Sequence, residues 1–209
     1  MAIIIKAHLI RDLRSMAVKH IWENGEEVVD ERGEITLECR NMELIHVGQS
    51  RLSAECGLTS VLDQDFAKGL IDDEMARKKG EQFDYAYGWQ MRKYDILPKI
   101  IKKLRENPNT RRAYIPLFHP DNVGSTEEVP CCTAIDILIR DGVLFMTTFF
   151  RSNEMYQAAM TDIYGFCAFQ EHLAKRLGYH PGEYHQYICS AHLRMSDEDG
   201  IKKLLELTT

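Results

Sequence analysis

The chain has 209 residues, 44% of them hydrophobic and 28% charged, the balance of an ordinary water-soluble domain with enough material for a substantial core. A single domain over residues 1–209 is expected. The net charge of -6 argues against a nucleic-acid partner held on a broad basic face, but not against a phosphorylated small molecule gripped by a few arginines. The opening MAIIIKAHLI is interrupted by Lys6 and His8 and runs into RDLR, so it does not read as a signal peptide. No apolar run approaches the roughly 20 residues a membrane span needs. The six cysteines form no CxxC pair, so no metal site and no redox motif is expected, and they read as free thiols in a cytoplasmic protein.

In chain order, residues 2–9 read as a short strand and 10–23 as a helix closed by Asn24-Gly25. Residues 34–47 are rich in β-formers and bend near Arg40-Asn41, which suggests a strand pair. Residues 51–79 look helical in pieces, and 94–106 have helical periodicity ending before Asn107-Pro108. A strand over 113–118 and a turn-rich loop, HPDNVGSTEEVP, come next. Strands over 134–139 and 143–150 follow, joined by Arg140-Asp141-Gly142, a hairpin signal. Residues 159–177 carry the longest helical pattern, stopped by Gly178, before a strand over 184–194 and a short terminal helix. Strands and helices mix without strict alternation, so the expected class is α+β with a mixed or largely antiparallel sheet.

Cys131 and Cys132 follow Val129-Pro130, between a polar loop and a strand. A cysteine on such an edge is either exposed and reactive or a small inert hydrophobe of the sheet. Arg111-Arg112, Arg151 and Arg32 stand at strand ends or in turns, where a guanidinium can grip a phosphate or simply be solvated.

Taken together, the stretch from Arg111 to Arg194 resembles the thymidylate synthase family. The residues that carry the resemblance are Arg111-Arg112, Pro130-Cys131, Arg151-Ser152, Asp162 heading the long helix, and Ala191-His192-Leu193-Arg194. Tyr87-Gly88-Trp89-Gln90-Met91-Arg92 resembles a further stretch of the family. The resemblance implies a thymidylate synthase-like fold and a homodimer with shared sites. It implies a pyrimidine nucleoside monophosphate as substrate and methylenetetrahydrofolate, or a related pterin, as co-substrate. It makes Cys131 the nucleophile that adds to C6 of the pyrimidine, with Arg151 nearby to favour the thiolate. Arg151 and Ser152 resemble phosphate ligands of the same subunit, and Arg111 and Arg112 those reaching across from the partner. Arg32 resembles a further phosphate arginine, and His192 the residue that holds the sugar hydroxyl. Glu55 is the candidate for the family's catalytic glutamate, with an exposed helix residue as the other reading.

The chain departs from the family at Asp162, where thymidylate synthases carry asparagine. An asparagine amide matches O4 and N3–H of uracil, whereas cytosine needs a protonated carboxyl, or a carboxylate facing a ring protonated at N3. Related phage enzymes that hydroxymethylate deoxycytidylate carry aspartate here; the other reading is a simple helix N-cap. Arg194 replaces the tyrosine that contacts the sugar, which keeps CMP beside dCMP. The family's tryptophan-containing insert is unrecognisable, and the chain ends fifteen residues after Arg194, short of the tail that closes over the cofactor. A wetter site favours water as the final nucleophile. The expected activity is therefore cytidylate 5-hydroxymethylation. The alternatives are a compact thymidylate synthase acting on dUMP and a non-catalytic nucleotide- or RNA-binding relative.

Overall fold

In the computed structural model the described residues are 2–47, 87–125 and 129–207. The helical pieces expected over 51–79, and Glu55 with them, lie outside the described residues. The elements are β1 (Ile3–Ala7), α1 (Ile10–Asn24), β2 (Glu26–Val29), β3 (Ile35–His46), α2 (Tyr87–Lys93) and α3 (Ile96–Glu106). They continue with β4 (Tyr114–Pro116), β5 (Cys132–Arg140), β6 (Val143–Glu154), α4 (Ala158–Leu177), β7 (His180–Arg194) and α5 (Glu198–Glu206). The strands form one mixed sheet in the order β1-β3-β7-β6-β5-β4, with β2 also pairing β3. The α+β class expected from the sequence is the class observed.

The Asp141-Gly142 step closes the β5–β6 hairpin, and both residues have positive φ (49° and 79°), as a two-residue turn of this kind requires. Strand β6 then runs four residues beyond its expected end at Phe150 and pairs in parallel with β7. Parallel neighbours need a crossover, and α4 supplies it. Gly178, at φ 83°, ends that helix, its N–H meeting the Ala174 and Lys175 carbonyls.

The expected strand pair over 34–47 is one strand. β3 keeps a continuous antiparallel register with β7 from Thr36 to His46. Its other edge is shared: β2 pairs residues 35–38 and β1 pairs 42–46. Asn41, at φ 61°, sits between the two partners. The bend is thus a left-handed kink inside a strand, which asparagine tolerates better than most residues.

The two faces of the sheet are unequal. Ile135, Ile137, Met146, Phe150, Tyr184 and Ile188 point inward and are at most 2% exposed. They pack with α1 and α4, whose Leu13, Ile21, Ile163, Phe166 and Phe169 join the same core. The opposite face carries Tyr114, Phe149 and Tyr187: the Phe149 and Tyr187 rings stack, Tyr114 lies tilted against Phe149, and Tyr114 and Tyr187 are half exposed. Among the described residues no helix is long and apolar enough to cross a membrane.

Asn41→Val should destabilise the fold by about 1–2 kcal/mol, because a β-branched residue resists the left-handed region. Asn41→Gly should cost little. Urea denaturation compares the two, and equal losses would contradict the conformational explanation.

Candidate active site

The site gathers where the parallel pair β6–β7 ends and β5 begins. Ser152 stands opposite Ser190 and Glu154 opposite His192, while the Arg151 N–H donates to the Cys131 carbonyl at 2.9 Å. Alternation along the strand then separates the two cysteines. Cys132 is fully buried, its N–H donating to the Tyr87 hydroxyl at 3.2 Å, and burial pushes its thiol well above the ordinary range. Cys131 is only half-buried. Cysteines 39, 131, 132, 167 and 189 are not in disulfides.

Arg151 organises the loop that carries Cys131. Its Nε donates to the Pro130 carbonyl at 3.2 Å and one terminal nitrogen to the Val129 carbonyl at 3.1 Å. The same terminal nitrogen lies 3.8 Å from the Cys131 sulfur. A fixed positive charge at that distance favours the thiolate, the form that attacks carbon. The guanidinium remains exposed and can also meet an incoming anion.

Asp162 does not head its helix. Helix α4 begins at Ala158, and its first turn is capped by Glu154, whose carboxylate accepts from the N–H groups of Tyr156, Gln157 and Ala158 at 2.7, 2.6 and 2.9 Å. Asp162 lies a full turn inside, 8% exposed, so the N-cap reading is corrected. Its Oδ2 accepts from Asn153 Nδ2 at 2.6 Å. Burial is the main cause that raises its pKa to about 7, with the Glu154 charge acting in the same direction and the Asn153 hydrogen bond opposing. Near neutrality this carboxyl is therefore divided between acid and anion.

His192 lies 3.4 Å from the Ser152 hydroxyl through Nδ1. Burial, the main cause, holds its pKa below the ordinary imidazole value, so the ring is mostly neutral and able both to donate and to accept. Arg32 sits in an exposed turn made by Asp30, whose carboxylate accepts the N–H groups of Arg32 and Glu34 at 2.9 and 2.8 Å. The turn leads into β3, whose Glu38 stands opposite His192 on β7. Arg194 reaches Glu34 at 3.8 Å from the end of β7. Cys131, Arg151, Ser152, Asp162 and His192 thus converge, with the Arg32 turn and Arg194 beside them.

Arg111 and Arg112 do not join this group within one chain. The Ile137 N–H donates to the Ala113 carbonyl at 3.0 Å, which puts the start of β4 level with Ile137, six residues along β5 from Cys131. At ~3.3 Å per residue that is roughly 20 Å, beyond the reach of an arginine side chain. Both are exposed. Asn153, Glu154 and Tyr87 had no assigned role on sequence grounds. The polar run Arg151-Ser152-Asn153-Glu154 at the end of an apolar strand was the available signal for the first two. Among the described residues no group of three or more His, Cys, Asp or Glu side chains could hold a metal ion.

Cys131→Ser should lose turnover by roughly three orders of magnitude or more, while Cys132→Ala should keep most of it and lose only stability. Alkylation followed by peptide mass mapping should modify Cys131 in the native protein and Cys132 only after unfolding. The reverse order of labelling would contradict the assignment.

A family model described as "Thymidylate synthase" matches residues 6–209. Over 97% of its length the chain is 33% identical to a protein of Methanococcoides burtonii named "Putative thymidylate synthase", covering 94% of that protein. Proteins with the same name from Methanosarcina acetivorans (30% identical, 97% of this chain and 94% of the relative) and Methanocaldococcus jannaschii (30%, 89% and 88%) are similar over nearly the same extent. With the convergent site and the mixed sheet that presents it, these matches establish that the chain belongs to the thymidylate synthase family.

Proposed function

We propose that the protein is a cytidylate 5-hydroxymethylase. The observation that carries this reading is the Asp162 carboxyl, buried, hydrogen-bonded and balanced near pH 7 between acid and anion. Uracil offers an acceptor at O4 and a donor at N3; cytosine offers a donor at N4 and an acceptor at N3. An ionised carboxylate has no donor, whereas the neutral acid can give its proton to N3 and accept from N4 at once.

The same proton serves the chemistry. The Cys131 thiolate adds to C6, and the displaced electron pair runs through C5 towards N3, where the Asp162 acid donates to the developing charge. The second substrate, methylenetetrahydrofolate or a related pterin, supplies a methylene unit at the oxidation level of formaldehyde. Cys131 keeps part of its surface open, as the approach of a second substrate to C5 requires. C5 bonds to that carbon and loses its proton, the bond from the carbon to the carrier nitrogen breaks and the carrier leaves as the protonated amine; water then adds to the resulting exocyclic methylene as the C6–S bond breaks. Arg151 and Ser152 bind the phosphate, with Arg32 closing from its turn. Neutral His192 meets the sugar hydroxyl. Arg194 at the end of β7 favours the ribonucleotide, CMP, with dCMP beside it. Glu55 is the proposed general base.

The distance separating Arg111 and Arg112 from Cys131 supports their service to a second copy's site. The half-exposed aromatic face of Tyr114, Phe149 and Tyr187 is the surface such a copy would cover. A second reading, a compact thymidylate synthase acting on dUMP, is favoured by the names of the archaeal relatives.

Asp162→Asn should turn preference from cytosine towards uracil nucleotides. Each mismatched buried polar group costs about 1–3 kcal/mol. Two mismatches move relative kcat/KM by roughly two to four decades. Steady-state rates with CMP, dCMP and dUMP read the ratio, and thermal melting shows whether the variant is folded. An unchanged ratio in a folded variant, or wild-type preference for dUMP, favours the synthase reading instead.

Mixing two inactive chains tests the shared site. Arg112→Ala and Cys131→Ala subunits should regain activity together, since one of the two sites of the heterodimer carries neither defect. Absence of recovery after confirmed subunit exchange would place each site within one chain.

A further inference from the structure

Behind Asp162 runs a line of polar side chains that the reaction does not touch. The Thr148 hydroxyl lies 2.7 Å from that of Tyr184, which donates to Gln186 Oε1 at 2.8 Å. Gln186 Nε2 donates to Asn153 Oδ1 at 3.3 Å, and Asn153 Nδ2 donates to Asp162 Oδ2 at 2.6 Å. None of the four side chains behind Asp162 is more than 3% exposed. They occupy inward positions of the parallel strands β6 and β7, amid Met146, Phe150 and Ile188, where apolar residues would fold as well or better. A buried polar chain that ends on one carboxyl specifies something about that carboxyl.

We propose that Asn153 is a specificity-determining positioning residue: its amide, oriented by Gln186 and Tyr184, keeps Oδ2 of Asp162 as an acceptor facing the exocyclic group of the base and leaves Oδ1, facing N3, as the oxygen that carries the proton. This rests on the reading of the protein as a cytidylate enzyme.

A neutral carboxyl alone does not distinguish the two bases. With the proton on the oxygen facing N3 it matches cytosine. With the proton on the oxygen facing the exocyclic group it donates to O4, accepts from N3–H and so matches uracil. Discrimination requires that the proton be confined to one oxygen. Donation from Asn153 to Oδ2 does this, because the oxygen already receiving a hydrogen bond is the better seat for negative charge. Oδ2 keeps a second lone-pair direction for N4–H. The amide of Asn153 cannot turn over while its own oxygen accepts from Gln186, and Gln186 is held in turn by the Tyr184 hydroxyl. Three residues thus transmit one orientation to the site.

The test is base preference at constant sugar: kcat/KM for CMP against UMP, and dCMP against dUMP, in wild type, Asn153→Ala and Tyr184→Phe, with thermal melting of each. Asn153→Ala should lower the cytosine-to-uracil ratio by roughly tenfold or more, with the uracil nucleotide gaining in absolute kcat/KM. Structural damage lowers both substrates together and produces no such gain. Tyr184→Phe, which removes one hydroxyl far from the substrate, should move the ratio the same way by roughly threefold, and carries the test alone if Asn153→Ala does not fold. A wild type that prefers cytidylate, with ratios unchanged in the folded variants, overturns this inference and leaves the cytidylate reading standing. A wild type that prefers uracil nucleotides overturns both.

Discussion

A carboxylate moved out of water loses hydration worth several kcal/mol, and a fold recovers that only by pairing the charge or by letting the group take up a proton. Asp162 takes the second course. Its hydrogen bond from Asn153 is a neutral one, and Glu154 on the same strand end adds repulsion, so the proton is retained up to about pH 7. Much of the surrounding structure serves that state. α4 must start at Ala158 for Asp162 to lie one turn inside, and Glu154 sets that start by capping three N–H groups. β6 must run on to Glu154 for Asn153 to reach the carboxyl from the adjacent strand end.

Arg151 provides the opposite electrostatics a short distance away. It is fixed by the two carbonyls that precede Cys131, so the loop, the charge and the sulfur move as one unit. A thiol that a guanidinium is to activate and an acid kept protonated by burial need different environments, and here Cys131 is half-buried beside Arg151 while Asp162 is enclosed. The end of β6 beside β7 makes this possible: Arg151 is exposed, Ser152 partly buried and Asn153 buried on consecutive residues.

Much of this was legible in the chain because it depends on short-range rules. Asp141-Gly142 dictates its hairpin, Gly178 ends its helix, and strand alternation alone separates a sealed Cys132 from an accessible Cys131. A kink and a turn share the same local signature, so residues 34–47 by themselves suggest two strands. Only the pairing with β7 shows that Asn41 bends one strand. β2 was missed because Glu26–Val29 is exposed along its whole length and shows no alternation. The helical pattern from residue 159 starts within one residue of α4 at Ala158; it is the family resemblance that puts Asp162 at the head of the helix, and the Glu154 cap shows it one turn inside. The relay behind Asp162 is not legible at all: Thr148 is on β6 and Tyr184 and Gln186 are on β7, and nothing local marks the three as a line.

The central claim is that the site reads cytosine and finishes with water. Release of tritium from cytidylate labelled at C5, with the mass of the nucleotide product, measures both together. The account predicts tritium release from the cytidine nucleotide, dependence on the methylene carrier, and a product bearing a hydroxymethyl group. Release from dUMP alone, with a methylated product, would contradict it.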